Sequence, residues 1–132
     1  MIVEIDQSGK IEQTNLDTII ALSNSIHYSV ILSKKVKRTL QSLFRNNARP
    51  RMFIYQTFSA LIAILLTKAK PKTKIIIDVE YQGHEDMIRN QILEYTKTLR
   101  KNGRYIIEFG YVGKTSPAHI LAAQVAVLRV SA

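Results

Sequence analysis

The sequence predicts a mixed α/β domain in which helices flank a five-stranded mixed sheet. Three observations indicate this fold class. The first quarter of the chain contains three apolar segments with strand-like alternation, the rest alternates helical and strand patterns, and no linker or low-complexity tract divides it. An antiparallel meander followed by strand–helix alternation implies a mixed sheet covered by helices. We therefore expect one domain over residues 1–132 with the element order β-β-β-α-β-α-β-α.

The opening strands are predicted from alternating apolar residues and from the turn residues between them. In residues 1–6, Val3 and Ile5 share one face, whereas Asp6 ends the opposite face. Gly9 then supplies the permissive backbone of a turn. The same reasoning predicts two further strands over residues 17–24 and 28–33, with a polar hairpin between them.

The first helix is predicted over residues 33–45, with Ser33 as its N-cap. Its apolar stripe is formed at helical spacing by Val36, Leu40, Leu43 and Phe44. We expect its basic residues on the opposite, solvated face: Lys34, Lys35, Lys37, Arg38 and Arg45.

The remaining elements follow from similar patterns. Hydrophobic periodicity predicts a more buried helix over residues 51–69, a strand over 74–81, an amphipathic helix over 84–103 and a strand over 104–112. A closing helix is predicted from Ser116, a good N-cap, because Pro117 follows at the first helical position.

The composition excludes several classes of protein and favours one kind of partner. The chain has no Cys, which excludes disulfide scaffolds, thiol nucleophiles and thiolate metal sites. Its net charge is +9, with 19 Lys and Arg against 10 Asp and Glu, which points to a polyanion such as nucleic acid. A solubilising surface of lysines would give the same balance.

We expect a cytoplasmic protein with no membrane partner. The most apolar stretch, residues 52–66, is shorter than the roughly 20 residues of a membrane span, and polar residues interrupt it. The first residues carry acid where a secretory segment would carry base.

The scarce acids gather after one apolar strand, in the stretch IIIDVEYQGHED. Asp78 would be costly in the centre of a sheet unless it were paired or at the sheet's edge. Strand alternation puts Asp78 and Glu80 on the same face. Glu85 and Asp86, by contrast, fall in the first turn of a helix, where acids complement the helix dipole. Asp78 and Glu80 are therefore the candidates for chemistry.

The order of elements, together with these acids, resembles the ribonuclease H-like superfamily, which includes ribonuclease H, retroviral-type integrases, Holliday junction resolvases of the RuvC type and PIWI domains. The resemblance covers nearly the whole chain. It implies a metal-binding Asp in the first strand, matched by Asp6, and a carboxylate at the end of the fourth strand, matched by Asp78 or Glu80. The last ligand of the family lies on the closing helix, where His119 is the candidate.

The resemblance further implies catalysis by two Mg²⁺ or Mn²⁺ ions that flank a scissile phosphate. A His ligand would shift the preference toward Mn²⁺. Lys114, before the closing helix, and Lys10, beside Asp6, could guide the phosphate, and the cluster of Lys34, Lys35, Lys37 and Arg38 could follow a phosphate backbone. The chain departs from the family in two respects. Residues 33–69 contain no acid and so lack the Glu that ribonuclease H carries there, and the predicted closing helix lacks the Asp that RuvC-type resolvases carry on it.

Two functions therefore remain open. The first is a metal-dependent nuclease, in one form a Holliday junction resolvase-like DNA endonuclease, with catalytic residues Asp6, Asp78, Glu80, His119 and Lys114. The second is a basic nucleic-acid-binding protein that uses the same fold without chemistry. Few exposed aromatic residues are identifiable, which favours recognition of a phosphate backbone over stacking on a single strand, and we expect DNA rather than RNA as the partner. Homodimerisation through the apolar strands and residues 52–66 is a further hypothesis, since resolvases of this fold are often dimeric.

Overall fold

The computed structural model describes residues 2–23, 27–72, 74–100, 104–111 and 121. Within these residues the chain forms five strands and three helices. The strands are β1 (Ile2–Ser8), β2 (Thr18–Ser23), β3 (His27–Leu32), β4 (Lys74–Asp78) and β5 (Ile107–Gly110). The helices are α1 (Lys34–Asn46), α2 (Met52–Ala69) and α3 (Glu85–Leu99). The predicted mixed α/β class and the five-stranded mixed sheet are confirmed.

The five strands form one sheet in the order β3-β2-β1-β4-β5. β1 lies at its centre, antiparallel to β2 and parallel to β4, and β5 is parallel to β4. Parallel strands end at the same edge, so the carboxyl ends of β1, β4 and β5 lie side by side at what we call the carboxyl edge. The register pairs Ile5 with Ile77. Asp6 and Asp78 are the next residues along β1 and β4, so they lie side by side at this edge.

The main core lies between one face of the sheet and α2. Val3, Ile5, Ile75 and Ile77 point to this face, as alternation predicts, and are at most 5% exposed. Phe58, Ile62 and Leu66 of α2 pack in the same cluster, together with Ile88 and Ile92 of α3.

Among the described residues, α2 is the one helix whose length and apolar composition would suit a membrane span. Since 56% of it is buried inside the fold, it has the character of the core helix of a soluble protein.

The second face of the sheet carries a smaller apolar cluster. Ile19 and Ala21 of β2 are buried there, and Leu121, which is helical, packs against them. Asp6 pairs with Ala21 across β1 and β2, so Asp6 points to this same face. The rest of the predicted closing helix lies outside the described residues.

The structure corrects the predicted environment of α1. Val36 and Leu43 were expected in its buried stripe, but they are 49% and 51% exposed. Lys37 was expected on the solvated face, and that prediction is wrong because the residue is 0% exposed. The helix packs along a narrow strip formed by Lys37, Leu40 and Phe44, so the apolar residues outside this strip remain in solvent.

Element boundaries also differ from the prediction, and β5 covers Ile107–Gly110 instead of residues 104–112. β4 ends at Asp78 instead of Tyr81, although Val79 still donates a backbone hydrogen bond of 3.0 Å to Gly110 of β5. The chain then turns, and Tyr81 packs into the core beside Phe58. α3 ends at Leu99, four residues before the predicted stop at Gly103, and its last turn exposes 52% of Leu99.

Candidate metal centre

Three carboxylates converge at the carboxyl edge of the sheet. Asp6 and Asp78 arrive there as neighbours because β1 and β4 are parallel and in register. Glu80 follows two residues after the end of β4, and its side chain hydrogen-bonds that of Asp78. One carboxylate oxygen from each of Asp6, Asp78 and Glu80 lies within 4.8 Å of the other two. We call these three residues the acid cluster.

Burial of the acid cluster makes its charge costly. Asp6 is 3% exposed, and Asp78 and Glu80 are half-buried. The pKa of Glu80 is raised from 4.5 to about 7. Loss of hydration is the largest cause, the negative charge of Asp78 is the second, and the side-chain hydrogen bond with Asp78 is the third. Asp6 adds to this rise, and the positive charge of Lys10 opposes it. Near neutral pH and without metal, a proton on Glu80 therefore relieves part of the repulsion among the carboxylates.

This donor set suits a hard divalent cation. Mg²⁺ and Mn²⁺ prefer carboxylate oxygens, and here three converge from two neighbouring strand ends. A divalent cation would replace the proton on Glu80 and compensate the negative charges that raise the pKa of this residue. Asp6, Asp78 and Glu80 are thus the described residues that could hold such an ion.

The loop between β1 and β2 leaves the carboxyl edge after Ser8 and is fixed by several contacts. Gly9 begins it with φ +75°, and a Cβ there would collide with the backbone carbonyl oxygen of Asp17. Tyr81 accepts a hydrogen bond from the backbone N–H of Ile11 at 3.2 Å and donates one to Glu12 Oε1 at 3.2 Å. Burial raises the pKa of Tyr81 above its usual range, so it stays a neutral hydroxyl.

Lys37 of α1 holds the same loop in place through three hydrogen bonds. Its ammonium donates to the carbonyl oxygens of Lys10, Gln13 and Leu16 at 3.1, 3.0 and 2.7 Å. An ammonium has three protons, so every donor is used. Burial lowers the pKa of Lys37, and the negative charges of Asp17 and Glu12 act in the opposite direction.

The other predicted site residues divide into three groups. Lys10, Lys34, Lys35 and Arg38 are exposed, as nucleic-acid contacts must be. Lys37 is not available to nucleic acid, because its ammonium is buried and fully engaged by the loop. Lys114 and His119 lie outside the described residues.

The roles of Lys37 and Tyr81 in shaping the site were not predicted. For Lys37 the sequence does carry a signal, since it stands three and seven residues before Leu40 and Phe44, at the spacing of the buried face. For Tyr81 no such signal exists, because its position inside the fold depends on the turn that follows β4.

Comparison with known proteins gives no further guidance to this site. No family model, no curated protein and no solved structure matches the chain.

Proposed function

We propose that the protein is a metal-dependent nuclease of the ribonuclease H-like type, which hydrolyses phosphodiester bonds in nucleic acid. The observation that carries this proposal is the convergence of Asp6, Asp78 and Glu80 at the ends of two parallel strands. Clustered carboxylates at the carboxyl ends of neighbouring strands form a typical place for ligands in α/β sheets. The mixed α/β class and the five-stranded mixed sheet agree with what the resemblance implies, although two helices, α1 and α2, stand between β3 and β4.

The chemistry follows from what these carboxylates can do. A bound Mg²⁺ or Mn²⁺ pair would supply Lewis acidity and lower the pKa of a bound water. Asp6 and Asp78 would hold the metal in place from two rigid strands. Glu80, whose pKa is about 7, would complete the ligand set in its deprotonated form. His119 remains our candidate for a further ligand, and Lys114 for a phosphate contact.

The net positive charge supports nucleic acid as the substrate, and of its two kinds we propose DNA. The net charge is +9, although the acid cluster itself carries a local excess of negative charge. A phosphate backbone would be attracted by the exposed cations and would meet the acids only where metal ions bridge the two. We further propose that the protein acts in the cytoplasm, since α2 is a mostly buried helix.

The test is cleavage of three labelled substrates: a four-way DNA junction, a DNA duplex and an RNA–DNA hybrid. Each is incubated at low salt with Mg²⁺, with Mn²⁺ and with EDTA. We expect cleavage of at least one substrate with metal and none with EDTA. Asp6→Asn should abolish it, whereas Asp86→Asn, which changes an exposed acid of α3, should leave it intact. If none of the substrates is cleaved under any of these conditions, the proposal that the protein is a nuclease is refuted.

A second function, binding of nucleic acid without chemistry, is favoured by one observation. The sequence contains no Asp or Glu between Asp17 and Asp78, so a long basic stretch exists independently of the acid cluster. A pure binding protein would show salt-sensitive affinity that divalent metal does not change.

A further inference from the structure

The cations of α1 are arranged along one side of the helix. Arg38 and Arg45 lie four and eleven residues after Lys34, which is close to one and three whole turns at about 3.6 residues per turn. All three are exposed. With Lys10 of the β1–β2 loop, which is also exposed, we call them the basic row. No acid interrupts α1 itself.

This side of α1 faces the β1–β2 loop. Arg38 Nε donates to the carbonyl oxygen of Thr14 at 3.1 Å, and the backbone N–H of Lys34 donates to Asp17 Oδ1 at 2.8 Å. The buried Lys37 fixes α1 to the same loop. Lys34 and Arg38 therefore lie next to the loop that begins at Gly9, three residues after Asp6.

The far end of α1 is also held at the carboxyl edge. Phe44 packs edge-on against Phe53 in the first turn of α2, with ring centroids 5.9 Å apart. Two residues after Phe53, Tyr55 stacks on His84 and hydrogen-bonds its Nε2 at 3.1 Å. His84 stands directly before α3, after β4 has ended. Both ends of α1 are thus anchored to the edge of the molecule that carries the acid cluster.

Lys10 connects the two charged regions. It is exposed, it lies four residues after Asp6 along the chain, and its backbone carbonyl oxygen accepts a hydrogen bond of 3.1 Å from Lys37 of α1. Exposed cations therefore extend from Lys10, which follows β1 in the loop, along α1 from Lys34 to Arg38 and Arg45.

We infer that the basic row binds the sugar–phosphate backbone of duplex DNA and leads it to the acid cluster. This inference deepens the proposed function and rests on it for the role of the acids, but the binding itself needs neither metal nor cleavage. From Lys34 to Arg45 the row covers about 16 Å at about 1.5 Å per residue, or roughly five base steps at about 3.4 Å each.

The composition of the row selects the partner. Its four members are cations, and none is aromatic, so it binds phosphates and offers no platform on which bases of a single strand would stack. Phe44, the aromatic residue of α1, is half-buried against Phe53. Proteins that bind duplex RNA also contact 2′-hydroxyl groups across the minor groove. A row made only of cations fits the DNA duplex better.

The test measures binding in EDTA, where no metal-dependent cleavage occurs. A fluorescein-labelled DNA duplex of 20 base pairs is titrated by anisotropy between 50 and 300 mM KCl. The row variant carries Lys10→Gln, Lys34→Gln and Arg45→Gln, and Arg38 is kept because its side chain bonds the loop. The control variant carries Lys68→Gln, Lys72→Gln and Lys97→Gln, three exposed cations at the opposite edge of the sheet. Each variant lowers the net charge by three, from +9 to +6.

We expect the row variant to lose about tenfold in affinity for each lost contact at 50 mM salt, and the slope of log affinity against log salt to fall by about one per contact. The control variant should lose less than about threefold. Equal losses in the two variants would overturn the inference, because they would show diffuse attraction without a defined surface. Tighter binding of a single strand or of duplex RNA of the same sequence would overturn it as well. Both variants should unfold within a few degrees of the wild type by circular dichroism.

Discussion

Two groups of charged residues are withdrawn from water in this protein, and they differ in how their charge is compensated. Lys37 is 0% exposed, yet each proton of its ammonium meets a carbonyl oxygen of the β1–β2 loop. The acid cluster brings Asp6, Asp78 and Glu80 within 4.8 Å of one another, and their mutual repulsion and burial raise the pKa of Glu80 to about 7.

The difference is between a buried charge whose protons all meet hydrogen-bond acceptors and a group of like charges whose repulsion favours binding of a proton or a cation. A buried charge with a complete set of hydrogen-bond partners contributes to the fold, because removing it leaves those partners unsatisfied. A cluster of like charges destabilises the fold until a proton or a cation joins it. We therefore expect substitutions at the two sites to have opposite effects on stability.

The largest effect is expected on activity. Asp6→Asn keeps the shape of the side chain and removes its negative charge, so we expect cleavage to fall by about a thousandfold or more. Loss of even an outer-shell partner of a metal typically costs about 10- to 100-fold. The measurement is the initial rate with Mn²⁺ under single-turnover conditions. A variant that retains a tenth of wild-type activity would remove Asp6 from the mechanism.

The next effect is expected on stability at the structural charge. Lys37→Met keeps the aliphatic chain but leaves three carbonyl oxygens without their donor, so the free energy of unfolding should fall by about 2–4 kcal/mol. Lys34→Met makes the same replacement at an exposed site of the same helix and should change it by less than about 0.5 kcal/mol. Urea denaturation at pH 7 compares the two, and equal effects would contradict the structural role of Lys37.

A smaller effect of opposite sign is expected at the acid cluster. Glu80→Gln removes one of the crowded charges and should raise the free energy of unfolding of the metal-free protein by about 1–2 kcal/mol at pH 8. Glu94→Gln, at an exposed position of α3, serves as the control and should have no such effect. Denaturation in EDTA measures both, and a destabilised Glu80→Gln would show that the cluster is already compensated without metal.

The smallest effect is expected from pH alone. Since Glu80 binds its proton more tightly in the folded than in the unfolded chain, the folded state holds more protons between about pH 4.5 and 7. The free energy of unfolding in EDTA should therefore decrease as pH rises through this window. Glu80→Gln should flatten this part of the curve, and an unchanged slope in the variant would assign the pH dependence to other groups.

The sequence predicts the acid cluster better than it predicts α1, for physical reasons. Alternation in β1 and β4 places Val3, Ile5 and Ile77 in the core and leaves Asp6 and Asp78 where two parallel strands end. Such a period of two survives in any sheet that buries one face. The convergence of Asp6 with Asp78 still required the register of the strands, which sequence patterns do not contain.

The misprediction of α1 arises from treating lysine as a surface residue. Lys37 occupies the buried strip only because the carbonyl groups of a loop 21 to 27 residues away form a site for its ammonium. Val36 and Leu43, which the helical period assigns to the buried stripe, are exposed instead, since no described element covers that side of α1. Both outcomes depend on tertiary contacts that the helical period alone does not show.

The central claim, that Asp6, Asp78 and Glu80 form a site for a divalent cation, is tested most directly by isothermal titration calorimetry with MnCl₂. We predict saturable binding to the wild-type protein at pH 8, weaker binding at pH 6 with release of a proton, and no binding to Asp78→Asn. Identical titrations of the wild type and Asp78→Asn would contradict the claim.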